Sequence, residues 1–150
     1  AYRVEKLRGL LGTFGEVAVV SEEASAAVWR DIRDVRCFAG HDAVTRVSIQ
    51  PSAAPEFAEG LWQTLGADVA LDWGGGLMWF GTNEADGATH KGVQDMSAGT
   101  GGHATLIKAP LAVRSIMPVF QPENPTVTAL SKGLRARFDP RGILNPGLMG

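Results

Sequence analysis

The sequence has few residues of the kinds that build cross-links and metal sites. Cys37 is its one cysteine among 150 residues, which excludes an internal disulfide and is typical of a reducing compartment. Three histidines at scattered positions give no zinc-ligand spacing. The net charge of −2 offers no electrostatic basis for binding nucleic acid or an anionic membrane surface. No apolar run approaches the roughly 20 residues that a membrane span needs.

Nucleotide-binding and hydrolase signatures are also missing. The sequence contains no G-x-x-x-x-G-K-[ST] phosphate loop, no G-x-G-x-x-G fingerprint and no G-x-S-x-G elbow. The run Gly99-Thr100-Gly101-Gly102 precedes a predicted strand rather than a helix, so it favours a flexible turn. No pair of carboxylates stands out as an acid–base couple. The chain alone therefore predicts no complete catalytic site.

The apolar residues that are present alternate between strand and helix spacing. This spacing predicts strands over 16–20, 43–50, 68–73, 77–80 and 103–108. Helices are predicted over 3–11, after Ser21, after Pro51-Ser52 and after Asn124-Pro125. Glycines weaken any helix within 82–102, where we expect a poor helix or an irregular loop. The order predicts an α+β, ferredoxin-like domain with an open mixed or antiparallel sheet of about five strands, helices on one face, and a C-terminal helix and extended tail.

Two of the predicted helices are amphipathic. The helix after Ser21 is expected to bury one face, made by Ala24, Ala27, Val28, Ile32 and Val35. One side of the last helix is predicted to be apolar and is formed by Val127, Leu130, Leu134 and Phe138. The chain has no initial methionine and residues 3–11 already predict a helix, so we expect it to be part of a longer protein.

Three local features could carry chemistry. His103 follows two glycines at the start of a strand, where an imidazole could serve as a base; the alternative is a structural or surface histidine. Arg46, with Trp73 and Trp79 on neighbouring strands, could bind a carboxylate; the alternative is core tryptophans and an arginine that extends into water. The rigid tail, which includes Asn145, could place an amide against a planar polar ligand, or could simply end the helix.

The tail, residues 138–147, resembles the F-D-P-x-G-[IVL]-[LF]-N-P-G ending of FAD-linked oxidases of the vanillyl-alcohol oxidase / p-cresol methylhydroxylase superfamily. Three upstream segments, 71–79, 102–110 and 119–122, are similar to the FAD-binding small subunit of bacterial glycolate oxidases. The likeness covers nearly the whole chain and is weak over 82–101. It implies that residues 1–115 form a cap domain, of which an amino-terminal part can be missing from this chain. It also implies that residues 116–150 form a helix and tail that return to an FAD-binding domain absent from this chain.

The resemblance also implies a function. The intact subunit would be an FAD-dependent enzyme that oxidises glycolate or D-lactate to the 2-oxo acid, whereas this chain alone is expected to be inactive and to bind little or no FAD. By the resemblance His103 would face the site. The local features, rather than the resemblance, make His103 the candidate catalytic residue and Arg46 and Trp73 the candidate substrate-binding residues. The cofactor-binding residues would be Asn145, Pro146 and Gly147, and no metal is expected. The implied partners are a larger FAD-linked subunit and an iron–sulfur subunit, in the cytoplasm or peripheral to the inner membrane through those subunits.

Two other interpretations stay open. The chain could be a non-catalytic assembly module that docks the other subunits of a flavin and iron–sulfur oxidoreductase. It could also be an independent ferredoxin-like domain that binds a small ligand, which would require residues 1–150 to be a whole protein.

Overall fold

The structure is a computed structural model that describes residues 2–144. The chain forms two compact units, Ala1–Ala39 (unit 1) and Gly40–Gly150 (unit 2). The expected boundary between a cap over 1–115 and a C-terminal part over 116–150 stays a prediction. No helix in the described part of the chain is long and apolar enough to cross a membrane.

Unit 1 consists of two helices and a turn. Helix α1 spans Tyr2–Leu11, helix α2 spans Glu22–Arg33, and a 3-10 turn spans Arg36–Phe38. Residues 16–20 were expected to be a strand, but the structure has none there. A strand needs a neighbour with which to exchange hydrogen bonds, and the described part of unit 1 contains no other strand.

The apolar sides of both unit 1 helices are exposed. Helix α2 was expected to bury one face, yet it has no buried residue, and Val28 and Ile32 are 48% and 54% exposed. Val35 lies beyond the helix, with a left-handed φ of 52°. Leu7 and Leu10 of α1 are likewise exposed. The amphipathic pattern of α2 is therefore present without a covering partner.

Unit 2 is built on four strands. They are β1 (Ala43–Ser48), β2 (Asp68–Asp72), β3 (Leu77–Thr82) and β4 (His103–Lys108). Helix α3 (Ala54–Leu65) connects β1 to β2, and helix α4 (Gly87–Gly99) connects β3 to β4. The sheet order is β2-β3-β1-β4 and all three pairings are antiparallel. This β-α-β-β-α-β order is the ferredoxin-like topology, so the predicted α+β class is confirmed, with four strands rather than about five.

Both helices cover the same side of the sheet. The core joins Val47 of β1 and Met78 of β3 to Phe57 and Leu61 of α3 and Val93 of α4. Val47, Met78 and Leu61 are completely buried. Side chains alternate between the two faces of a strand, so the opposite set faces away from these helices.

Helix α4 is regular although the sequence favoured a poor helix or a loop. Asp86 caps its first turn, because its side chain accepts a hydrogen bond from the Thr89 amide at 2.6 Å. The helix buries Val93 and Ser97 among other residues. This cap and this burial offset the unfavourable helix propensity of its glycines, which tertiary packing commonly overrides.

A segment that we name the crossing segment, residues 115–121, runs along the outer edge of β4. It follows helix α5 (Leu111–Arg114). The Leu106 amide donates to the Val119 carbonyl at 2.9 Å, and Thr105 forms an isolated bridge with Phe120. Gln121 Oε1 accepts from the Ala104 amide at 2.8 Å. These bonds satisfy an edge that would otherwise be open.

Helix α6 spans Pro125–Phe138 and has the predicted start, since Asn124 Oδ1 accepts from the Thr126 amide at 2.9 Å. It contains no buried residue. The predicted apolar side is exposed along its length, by 46% to 79% at Val127, Leu130, Leu134 and Phe138.

We predict that Gly102→Ala destabilises unit 2. A Cβ atom at this position would collide with the Ser48 carbonyl oxygen and would lie 3.2 Å from the Ser97 carbonyl oxygen. Both are backbone atoms that cannot move alone, so we expect a loss of about 1–3 kcal/mol in the free energy of unfolding, measured with urea. The matched control is Gly92→Ala in α4, where no atom lies within 4 Å. That change should stabilise by about 0.5–1 kcal/mol, and a neutral Gly102→Ala would contradict the prediction.

Candidate functional site

The candidate site is the face of the sheet opposite α3 and α4, which we name the open face. In the register, Arg46 of β1 lies directly across from Trp79 of β3 on one side and Thr105 of β4 on the other. Ser48 lies across from His103 one step further along. Directly paired residues have Cβ atoms about 4.5–5.5 Å apart, so these five side chains form one patch.

The centre of the open face is accessible. Arg46 and His103 are exposed, whereas Trp79 and Thr105 are half-buried. Toward the ends of the same face Val44 and Leu77 are buried, with 5% and 6% of their surface exposed. The accessible part is therefore a limited area around Arg46.

The side chain of Arg46 makes no hydrogen bond or ion pair to any residue within 2–144. A guanidinium presents a planar fork of donors that matches a carboxylate. Beside the half-buried indole of Trp79, this fork stays available for an anionic ligand. Of the alternative, the part in which both tryptophans belong to the core is wrong, because neither Trp73 nor Trp79 is buried, whereas Arg46 is exposed as that alternative expected.

His103 lies in the same patch. It is the first residue of β4, and its imidazole makes no hydrogen bond within the described residues. Its place across from Ser48 puts it one step from Arg46 along the strands. An imidazole next to a cation that binds carboxylate is suited to accept a proton from a neighbouring hydroxyl.

Trp73 is not paired with Arg46. It lies in the 3-10 turn Trp73–Gly75 between β2 and β3, where it is 72% exposed. Its φ of 52° is left-handed, a conformation that is a genuine outlier for a bulky residue. Asp72 Oδ1 accepts from the Trp73 amide at 2.7 Å and supports the turn. Such strain is compatible with a functional role but does not assign one.

Sequence reasoning missed a group of bonds beside the patch. His41 Nε2 lies 3.1 Å from Asp68 Oδ2, and the His41 carbonyl accepts from Lys108 Nζ at 2.6 Å. Asp68 belongs to edge strand β2 and Lys108 to edge strand β4, so these bonds tie the chain before β1 to both edges of the sheet. The residues are 27 and 67 positions from His41 in the chain, and no local pattern signals such a contact.

The tail begins with an ordered turn. Asp139 Oδ1 and Oδ2 accept from the Ile143 and Leu144 amides at 3.0 and 2.8 Å. These two amides, that of Leu144 first, lower the pKa of the Asp139 carboxyl. The predicted cofactor-binding residues Asn145, Pro146 and Gly147 lie outside the described residues.

Within 2–144, no group of three or more His, Cys, Asp or Glu side chains is placed to hold a metal ion. What the open face offers is a free cation, an indole, a free imidazole and two hydroxyls. This set can bind a small hydroxylated carboxylate and accept its proton.

Comparison with known proteins gives one distant relationship. The chain is similar to the glycolate oxidase subunit GlcE of Escherichia coli strain K12, with 28% identity over 148 residues. The aligned region is 97% of this chain and 35% of that subunit, so the chain spans about a third of its relative. No family model matches the chain, and no solved structure gives a significant match. The similarity supports a distant family relationship and no specific assignment.

We predict that Trp73→Gly leaves the chain about 1 kcal/mol more stable than Trp73→Ala. Both variants lose the exposed indole, but only glycine adopts the left-handed φ of 52° without a Cβ clash. The difference in free energy of unfolding, measured with urea, reports the backbone strain at this turn less the extra backbone entropy that glycine loses on folding. Equal stability of the two variants would contradict the prediction.

Proposed function

We propose that this chain is the C-terminal part of an FAD-dependent 2-hydroxy-acid oxidase or dehydrogenase subunit of the glycolate oxidase class. In the intact subunit its open face would cover the flavin and the substrate. The tail motif over 138–147 and the distant similarity to GlcE support the class. The location of the site is supported by one observation above others, the unpaired Arg46 across from Trp79.

Arg46 would bind the carboxylate of the acid. Charge-assisted bidentate hydrogen bonds are about twice as strong as neutral ones, and the half-buried Trp79 beside it would limit access of water. His103 would accept the proton of the 2-hydroxyl group, since it lies one step along the same face. The flavin, when bound, supplies the acceptor for the hydride that leaves C2 of the acid. Trp73 remains a proposed contact for the substrate at the tip of the hairpin.

The described residues fit a covering role toward FAD better than a holding role. The open face presents a planar indole and a cation, which suit a planar polar group, but no phosphate-binding loop exists in the sequence. Most contacts to FAD would therefore come from residues outside this chain, together with Asn145, Pro146 and Gly147. By the same resemblance the partners would be a larger FAD-linked subunit and an iron–sulfur subunit, in the cytoplasm or at the inner membrane through them.

A second candidate is a non-catalytic assembly module. The exposed apolar sides of α2 and α6 favour it, because unpaired apolar faces are typical of interaction surfaces. The two functions are separated by expressing the full-length subunit alone. Bound flavin that glycolate bleaches supports the oxidase, whereas flavin that no 2-hydroxy acid reduces supports the assembly module.

In the intact subunit, we predict that Arg46→Gln raises the glycolate concentration for half-maximal flavin bleaching by about 10- to 100-fold. This corresponds to the loss of a charged hydrogen bond of about 1.5–3 kcal/mol. Arg46→Lys should lose less, because the charge is retained while the bidentate geometry is lost. The control is Arg114→Gln, an exposed position of α5, which should bleach as the wild type does. An unchanged concentration dependence in Arg46→Gln would remove Arg46 from the site.

We also predict that Asn145→Ala in the intact subunit weakens FAD retention or shifts the flavin potential. The physical reason is the loss of a proposed amide contact to the flavin ring. Flavin content after gel filtration and the visible spectrum are the measurements. Unchanged content, spectrum and potential would count against this role while leaving the role of Arg46 untouched.

A further inference from the structure

His90 is a buried histidine of α4 that the candidate site does not use. Only 4% of its surface is exposed. Its Nε2 atom lies 3.3 Å from the carbonyl oxygen of Pro118, which belongs to the crossing segment. A carbonyl oxygen can only accept, so Nε2 must carry the proton for this bond to form. In the neutral ring Nδ1 is then an acceptor.

Nδ1 of His90 is buried and has no hydrogen-bond partner among the described residues. A buried acceptor without a donor is unfavourable, and such atoms are commonly satisfied by an internal water. His90 lines a small cavity together with Thr45, Thr82 and Thr89. Its volume is about 10 Å³ for the centre of a water molecule, which is close to the minimum for one water.

We propose that this cavity holds one water that donates to His90 Nδ1, and that neutral His90 is a latch that helps to hold the crossing segment on α4 and weakens when the ring is protonated. Gln94 and Ser97 of α4 also contact this segment, at the Pro118 carbonyl and at Gln121 Oε1. The proposal stands on the Pro118 contact, the unpartnered Nδ1 and the cavity. It is independent of the proposed oxidase function.

The surroundings of His90 disfavour its charged form. Two carboxylates line the same cavity, but Asp86 is engaged in capping α4 and Glu84 is exposed to water. Neither forms an ion pair with His90. Burial lowers the pKa of His90 below its ordinary 6.5, and the hydrogen bond to Pro118 offsets only part of this effect. The ring is therefore neutral near pH 7.

The strength of the latch falls as the pH is lowered. Above pH 6.5 the ring is neutral in both the latched and the released states, so the latch is at full strength. Below pH 6.5 the released ring takes up a proton first. The latch then weakens by up to about tenfold for each pH unit, until the lowered pKa of the buried ring is reached.

Release would act on β4 next to the open face. The crossing segment accepts hydrogen bonds from two amides of β4. The Val119 carbonyl accepts from the Leu106 amide, and Gln121 Oε1 accepts from the Ala104 amide. Thr105, which lies between those residues, is paired with both Phe120 and Arg46. Loss of the segment would therefore expose the edge of β4 and loosen the strand that flanks Arg46.

Hydrogen exchange of the full chain, followed by mass spectrometry and corrected for the intrinsic effect of pH, tests this latch. Protection of the peptide covering 103–121 should fall below pH 6.5, by up to about tenfold per pH unit, whereas a peptide from α3 should keep its protection. Equal loss in both peptides, or no loss in either, would overturn the proposal.

Two variants separate His90 from other titrating groups. His90→Gln cannot titrate, but its amide can still donate to the Pro118 carbonyl, so the pH dependence of the 103–121 peptide should disappear. His103→Gln is the matched control, because this histidine is exposed, and it should retain the wild-type dependence. The reverse pattern would assign the effect to His103 and overturn the latch.

The wild-type chain gives a test that needs no variant. Nitrogen-15 NMR of the histidine rings distinguishes the tautomers, and His90 should be Nε2-protonated near pH 7 with a water contact at Nδ1. The Ala104 and Leu106 amide signals should change with the same midpoint as the His90 ring. An Nδ1-protonated His90, or a ring that titrates without any change in those amides, would refute the mechanism.

Discussion

The packing of α3 and α4 on one side of the sheet is the constraint on which the rest of unit 2 depends. Strand residues alternate in direction, so burying Val47 and Met78 against these helices necessarily turns Arg46 and Trp79 to the other side. The cation is free for this topological reason, since no helix of the core brings an acidic partner to it. The open face is thus a consequence of how the core is built.

Much of this arrangement could be predicted because it is encoded locally. Four strands and the helices around them follow from apolar spacing, and Gly66 at the end of α3 has the left-handed φ of 56° expected of a helix-ending glycine. Helix α4 was missed because its stability comes from tertiary burial and from the cap at Asp86. The prediction of a strand at 16–20 was wrong because a segment with strand propensity needs a neighbouring strand with which to form hydrogen bonds.

The candidate site was predictable in its residue types and less so in its geometry. Arg46, Trp79 and His103 were recognisable from their positions on predicted strands, but which tryptophan faces Arg46 depends on the register. Arg46 faces Trp79 through the pairing of β1 with β3, two strands that are separated in the chain by α3 and β2, so no local turn encodes it. The turn at Trp73–Gly75 fixes only the pairing of β2 with β3, and its three successive positive φ values could not be deduced from Gly74 and Gly75 alone. The hydrogen bonds of His41 with Asp68 and Lys108 join distant parts of the sequence, and such contacts cannot be predicted from the spacing of apolar residues.

The exposed apolar faces of α1, α2 and α6 limit the stability of these helices. Helices α1 and α2 have 10 and 12 residues, bury none of them, and helices this short are marginal in water unless an amphipathic face is packed. Helix α6 also buries none of its 14 residues, although its cap at Asn124 and the turn at Asp139 are well formed. Capping fixes where a helix begins and ends, whereas packing supplies most of its stability. Helix α6 therefore has specified ends and an exposed apolar side, whereas α2 lacks even a side-chain cap at Ser21.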